Sequence, residues 1–436
     1  MRAFALLFAS LVLGLTARAQ DPTVTVTAKL NTPVVTVHGG SVYLHLGLRS
    51  PRFDDHRRQP INLVVVFDRS GSMSDERKID YARRALHRLI DGLTEADQFS
   101  LVIYDDVVEV LAQPQRVNDR RRLHAMVDRI SPGGSTNLGG GMMEGLRLAH
   151  SSAGRGRINR VILLSDGLAN QGITSPHELN RIARQYRQDG VSLTTMGLGL
   201  DYNENLMVGL SENGGGNYYF IEHPNQMAHI LGREFDMMSS VVCRNAVIEL
   251  RVQGGTRVKD IIGSSWTQNG ERVLVQLGDL MNDEQRELTV ELDVPRGSGS
   301  LTIAEGTLGF ESDRVKPSSG TFAAAVRYVD DPRVVEKNRD LEVQGKSDVA
   351  ASTRRVERAM EALDEGREED AAVELKGARE ALSASPAASA AGAGGDALRS
   401  QIGRLDAFKD SVASGDAKKA KKSIQYQNYQ VQKNKK

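Results

Sequence analysis

Ile61-Asn62-Leu63-Val64-Val65-Val66-Phe67 runs directly into Asp68-Arg69-Ser70-Gly71-Ser72-Met73. An almost unbroken apolar run of this length reads as a strand buried on both faces, as in a parallel sheet. The residues after it set one carboxylate and two hydroxyls at alternate positions on a glycine-containing loop. Open α/β sheets form their ligand sites at the C-terminal ends of strands. Hard oxygen donors gathered at such a point suit a small hard cation such as Mg²⁺.

Two other loops extend the pattern. Ser131-Pro132-Gly133-Gly134-Ser135-Thr136-Asn137 offers Thr136, and Leu164-Ser165-Asp166-Gly167 offers Asp166 directly after a strand predicted over 161–164. A lone D-x-S-x-S is a weak signal. Its strand–loop–helix context, with Thr and Asp following in order on two more loops, makes it specific. The set Asp68, Ser70, Ser72, Thr136 and Asp166 resembles the metal-ion-dependent adhesion site of the von Willebrand factor type A (VWA) family, across residues 60–240.

That resemblance implies direct binding of Mg²⁺ by Ser70 and Ser72, with Thr136 binding directly or through water. Asp68 and Asp166 would act through waters or hydrogen bonds to the hydroxyls. Mn²⁺ or Ca²⁺ would serve as substitutes. Neutral hydroxyls leave the cation's charge incompletely quenched, so the resemblance implies a receptor for an exposed Asp or Glu side chain of a protein partner. The plainer reading of the same residues is that they cap loops and helices. Asp75-Glu76 falls where integrin β-chains hold an adjacent cation site, although acids at a helix entry also suit the helix dipole. Arg69, Asn137, Leu168, Asn170 and Tyr202 are candidates for the rim.

Catalysis has little support. A hydrolase needs a positioned base or nucleophile near its metal. The three loops hold no histidine, and the chain has no H-E-x-x-H. Gly139-Gly140-Gly141 is not followed by the Gly-Lys-Ser/Thr of a phosphate loop. The expectation is a non-enzymatic adhesion or scaffold protein. Two alternatives are an accessory subunit of an enzyme or AAA+ remodelling system, and a structural envelope protein with a stabilising metal.

Composition narrows the partners. Lys+Arg and Asp+Glu both total 56 in 436 residues, so no global field favours nucleic acid. Arg2, an apolar run over 3–15 and small residues at Ala17 and Ala19 read as a signal peptide over 1–19, which places the mature chain in the periplasm, cell envelope or medium. No later stretch is long and apolar enough to span a bilayer. Cys243 is the single cysteine and reads as a small buried hydrophobe.

The fold class expected is α/β. A Rossmann-like VWA domain over 60–240, with a mainly parallel sheet and helices on both faces, is inserted in or followed by a β-sandwich. Strands in 20–59 alternate with period two and need a partner sheet, supplied by similar runs in 241–331. An α-helical extension follows: a helical hairpin over 332–382, an alanine- and glycine-rich linker over 383–396, and a helix with a basic tail over 397–436. The tail's lysines read as solvated, with weak contact to acidic envelope polymers as the alternative.

Overall fold

The alternating face Val42, Leu44, Leu46 and Leu48 is fully covered, and its cover comes from far along the chain. The computed structural model describes residues 22–433 apart from 56, 155, 317–320 and 414–416. The signal peptide expected over 1–19 lies outside the described residues.

Three strands open the chain: β1 (Thr25–Leu30), β2 (Val34–Thr36) and β3 (Gly40–Arg49). The central segment then supplies β4 (Ile61–Asp68), α1 (Lys78–Gly92), β5 (Gln98–Tyr104), β6 (Val108–Arg116), α2 (Arg120–Asp128), α3 (Leu138–Ser151) and β7 (Ile158–Ser165). It continues through α4 (Pro176–Gln188), β8 (Val191–Leu198), α5 (Glu204–Gly214), β9 (Gly215–Ile221) and α6 (Met227–Ser239). Its sheet has the order β6-β5-β4-β7-β8-β9. Every pair is parallel except β5 with β6. β4 is buried along its whole length because helices cover both faces.

Seven strands follow: β10 (Val241–Val252), β11 (Arg257–Ile262), β12 (Ser265–Asn269), β13 (Arg272–Met281), β14 (Gln285–Val294), β15 (Ser300–Glu311) and β16 (Thr321–Val329). One sheet has the order β1-β3-β14-β11, the other β12-β13-β10-β15-β16-β2. β3 thus pairs with β14 across the whole α/β segment, so that segment is an insertion in the sandwich. Val42, Leu44, Leu46, Ile248, Leu250, Val275 and Val290 form one core between the two sheets. Arg160 on β7 fastens the layers, reaching Glu234 of α6 and Asp279 of β13 at 3.1 Å each.

Close packing explains the glycine run. A Cβ on Gly145 would stand 2.2 Å from Val66 Cγ2, and one on Gly141 2.7 Å from the Tyr104 ring. The run lets α3 lie close on the sheet.

The C-terminal extension is more ordered than its composition suggests. It comprises α7 (Pro332–Lys337), α8 (Leu341–Asp364), α9 (Glu368–Ser383), α10 (Ala393–Ala413) and α11 (Ala417–Gln432). The expected linker over 383–396 is corrected. α9 runs into its start, α10 occupies its end, and Ala387 between them is wholly buried in the helical core. Small side chains here permit contact: a Cβ on Gly345 would meet the Gly394 backbone at 2.7 Å. The expected basic tail is also corrected, because α11 is a docked helix. Tyr426 and Tyr429 pack edge-on against Tyr218 of β9, at centroid distances of 5.8 and 5.7 Å. Lys418 meets Asp201 at 2.5 Å and Lys419 meets Glu222 at 2.5 Å. No helix among the described residues is long and apolar enough to cross a membrane.

Candidate metal centre

The three loops named from the sequence converge at the C-terminal edge of β4 and β7. Asp68, fully buried at the end of β4, organises the first loop. Its Oδ1 accepts from the Ser70 N–H at 2.8 Å, and its Oδ2 accepts from Ser165 Oγ at 2.8 Å and the Tyr104 hydroxyl at 3.2 Å. Burial holds the Tyr104 phenol far above its ordinary pKa, so it stays a donor. Backbone bonds tie this loop to the second, from Gly71 N–H to Gly134 O at 3.1 Å and from Gly133 N–H to Arg69 O at 2.8 Å.

Both serine hydroxyls point at the third loop. Ser72 Oγ donates to Asp166 Oδ1 at 2.7 Å, Ser70 Oγ lies 3.4 Å from the same oxygen, and the two hydroxyls are 3.2 Å apart. Thr136, 5% exposed, stands across Gly167 from them. A Cβ built on Gly167 would meet Thr136 Oγ1 at 3.4 Å and Ser72 Oγ at 3.9 Å. Asn170 Oδ1 accepts from the Thr136 N–H at 3.0 Å and so fixes that loop to the third.

The electrostatics are unbalanced. Burial, followed by the neighbouring Asp166 charge, pushes the Asp68 carboxyl up to about 6 despite bonds from Ser70 and Ser165. The nearby compensation is Lys78, the buried first residue of α1, whose Nζ donates to Asp166 Oδ2 at 2.8 Å. Sequence reading missed Lys78. Its signal was a lysine placed at the start of the amphipathic helix that follows the loop. Two desolvated carboxylates and three hydroxyls form an oxygen donor set that fits a hard divalent cation, with the Lys78 ammonium as partial compensation for the two negative charges.

The rim differs from expectation at several positions. Tyr202 is buried, its hydroxyl 2.7 Å from that of Tyr218, because α11 covers the loop that carries it. Arg69 is held by Asp105 at 3.0 Å, and Asn137 caps α3 by accepting from the Gly140 N–H at 3.0 Å. Leu168 and Asn170 are exposed. Asp75 and Glu76 are exposed too, but they lie in the 3-10 turn Gly71–Arg77 ahead of α1. Val107, 60% exposed and missed from the sequence, stands beside Asp105 on the loop that packs against the Thr136 loop.

The von Willebrand factor type A domain family matches residues 62–233. The chain therefore carries a VWA domain. An uncharacterized protein of Synechocystis is 29% identical over 254 residues, which cover 55% of this chain and 59% of that protein. The match thus spans under two thirds of that relative. Among solved structures, a von Willebrand factor type A protein from Catenulispora acidiphila superposes with a TM-score of 0.70 at 16% identity, covering 89% of this chain and 90% of that one. An ArnB paralog from Sulfolobus acidocaldarius gives 0.62 at 20% identity, covering 93% and 98%. At these identities the likeness is one of fold. It extends beyond the VWA domain to the sandwich and the C-terminal helices.

Proposed function

We propose that the protein is an exported, divalent-cation-dependent binder of other proteins, with an adhesion or scaffolding role. VWA domains are mostly interaction modules rather than catalysts, and this chain's VWA face is built for contact. Ser70, Ser72 and Thr136 would hold Mg²⁺, while Asp68 and Asp166 orient the hydroxyls and supply negative charge. The bound ion would supply a Lewis-acidic centre able to accept an Asp or Glu oxygen from the partner.

The observation that carries this reading is the approach of Ser70 Oγ, Ser72 Oγ and Asp166 Oδ1 within 3.4 Å of one another beside buried Asp68. Exposed Val107 and Leu168 support it, since they flank the site and offer apolar contact around a charged centre. Export rests on the apolar run over 3–15 and the Ala17/Ala19 pair. Lys418, Lys419, Lys421 and Lys422 are engaged within the fold, so the reading does not draw on these four for contact with the envelope.

Calorimetry with Mg²⁺ on wild type and Asp68→Asn, paired with pull-downs from envelope extract with and without EDTA, tests the proposal. Binding heat and partner capture should both vanish in the variant. If chelation lowers the melting temperature yet leaves every partner bound, the metal is structural and the recognition reading fails.

A further inference from the structure

On the outer face of the VWA domain, α1 and α2 each carry a histidine followed four residues later by an aspartate: His87 and Asp91, His124 and Asp128. That spacing puts both members of each pair on one helix face. The pairs cross between helices. His87 Nε2 lies 2.9 Å from Asp128 Oδ1, and His124 Nε2 lies 3.0 Å from Asp91 Oδ1. The two Nδ1 atoms meet at 2.5 Å, with ring centroids 4.7 Å apart.

These contacts favour one tautomer for each neutral ring. A carboxylate only accepts, so each Nε2 carries the ring hydrogen, and a neutral imidazole has one. Both Nδ1 atoms then present bare lone pairs to each other at a distance shorter than an ordinary N–H hydrogen bond of about 2.9 Å. A shared proton or a metal ion between them would relieve that opposition. An imidazole that gives its other N–H to a carboxylate is the usual arrangement of a metal-ligating histidine.

We propose that His87 and His124 form a second metal site, for a borderline transition ion such as Zn²⁺ or Cu²⁺, held by the two Nδ1 atoms and oriented by Asp91 and Asp128. Tetrahedral bonds of about 2.0–2.1 Å place two nitrogens about 3.3 Å apart, so the rings need part by only about 1 Å. Among the described residues, no group of three His, Cys, Asp or Glu converges to close such a site. The two histidines are only 25% and 26% exposed, and that opening leaves the remaining coordination positions to water or to a side chain of another molecule. Imidazole favours borderline ions and the hydroxyl–carboxylate set favours hard ones, so the two sites differ in the metal each prefers.

The full chain carrying Ser70→Ala and Ser72→Ala, which removes the first site, is titrated with CuCl₂ and read by electron paramagnetic resonance. One equivalent of Cu²⁺ with hyperfine splitting from two nitrogens is expected. His87→Gln or His124→Gln should lose one nitrogen and weaken binding by at least ~10-fold, and Asp91→Asn, which keeps both ligands, by ~10–100-fold. Far-ultraviolet circular dichroism checks that each variant is folded. Equal Cu²⁺ affinity and an unchanged spectrum in both histidine variants would overturn the proposal. So would an absence of stoichiometric uptake with a proton shared between the rings in ¹⁵N magnetic resonance spectra.

Discussion

Asp166 and Glu204 are both buried carboxylates near the C-terminal edge of the same sheet, and both touch a buried lysine. Their surroundings differ in sign. Around Asp166 there is a second carboxylate, Asp68, and one ammonium, Lys78. Around Glu204 there are two ammoniums, Lys422 at 2.7 Å and Lys421 at 2.9 Å. Burial pushes the Glu204 carboxyl up, but the Lys422 charge and the bonds from both lysines outweigh it, and its pKa falls below the ordinary value. Asp68 moves the other way. A buried acid whose work is to dock a helix is matched with positive charge, Lys421 being shared between Glu204 and Asp364, while Asp68 and Asp166 have one ammonium between them. On the proposed reading, the shortfall is what a bound cation would make good.

The largest effect should come from unbalancing the matched cluster. Lys422→Met leaves Glu204 buried beside Lys421 alone and also takes a donor from Tyr202 O, which Lys422 Nζ holds at 2.8 Å. Breaking such a buried pair costs on the order of 3 kcal/mol. Hydrogen exchange should show α11 and α5 losing protection together, with β4 unaffected. Unchanged protection in α11 would mean that its tyrosines, not its lysines, hold it down.

At the metal face the corresponding change should be conditional. Lys78→Met removes the cation nearest Asp166, so in EDTA the variant should lose roughly 2 kcal/mol, below the full cost of an unpaired buried charge because the two serine hydroxyls remain. With Lys78 gone the ion has Asp166 to itself and binds more tightly, so one fixed Mg²⁺ concentration, about 100 times the variant's dissociation constant, returns about 2.7 kcal/mol to the variant and less to wild type. The Mg²⁺-induced rise in unfolding midpoint should therefore exceed that of wild type. Equal rises in the two proteins would show that Lys78 and the ion do not share Asp166.

The same contrast explains what could be read from the residues alone. Asp68, Ser70 and Ser72 sit in one short loop after an unmistakable strand, and Thr136 and Asp166 also sit at strand or helix ends, so local pattern locates them. Lys422 is different. Its partner Glu204 is 218 residues away, and a run of lysines near a terminus has the composition of a solvated tail. Only the spacing of Ala420 and Ile424, four apart and both buried, betrays a packed face, while Tyr429 packs on the other side of the helix. The helix α5 gives an equally weak local signal. It is 11 residues long, and its apolar Leu206, Met207 and Leu210 are few, although Asn203 caps it by accepting from the Leu206 N–H at 2.9 Å. Tyr202 was misplaced at the rim because nothing local shows that a distant helix covers it.

A third carboxylate sets the lower end of the scale. Glu287 on β14 lies between His45 of β3, at 3.6 Å, and Lys346 of α8, at 2.7 Å, with its side chain 35% exposed. The approach of His45 lowers its pKa most, burial opposes, and Lys346 adds to the lowering, bringing it to about 2. The folded pKa is depressed below the unfolded value of 4.5, so the group contributes fully above pH 4.5 and its contribution is lost as pH falls toward 2. Solvent screening of a side chain this exposed limits the effect to on the order of 1 kcal/mol. Protection of α8 against exchange should therefore decline between pH 4.5 and 2 in wild type, and Glu287→Gln should flatten that decline. A decline equally steep in the variant would assign the acid sensitivity to other carboxylates, with Glu287 a bystander between its two partners.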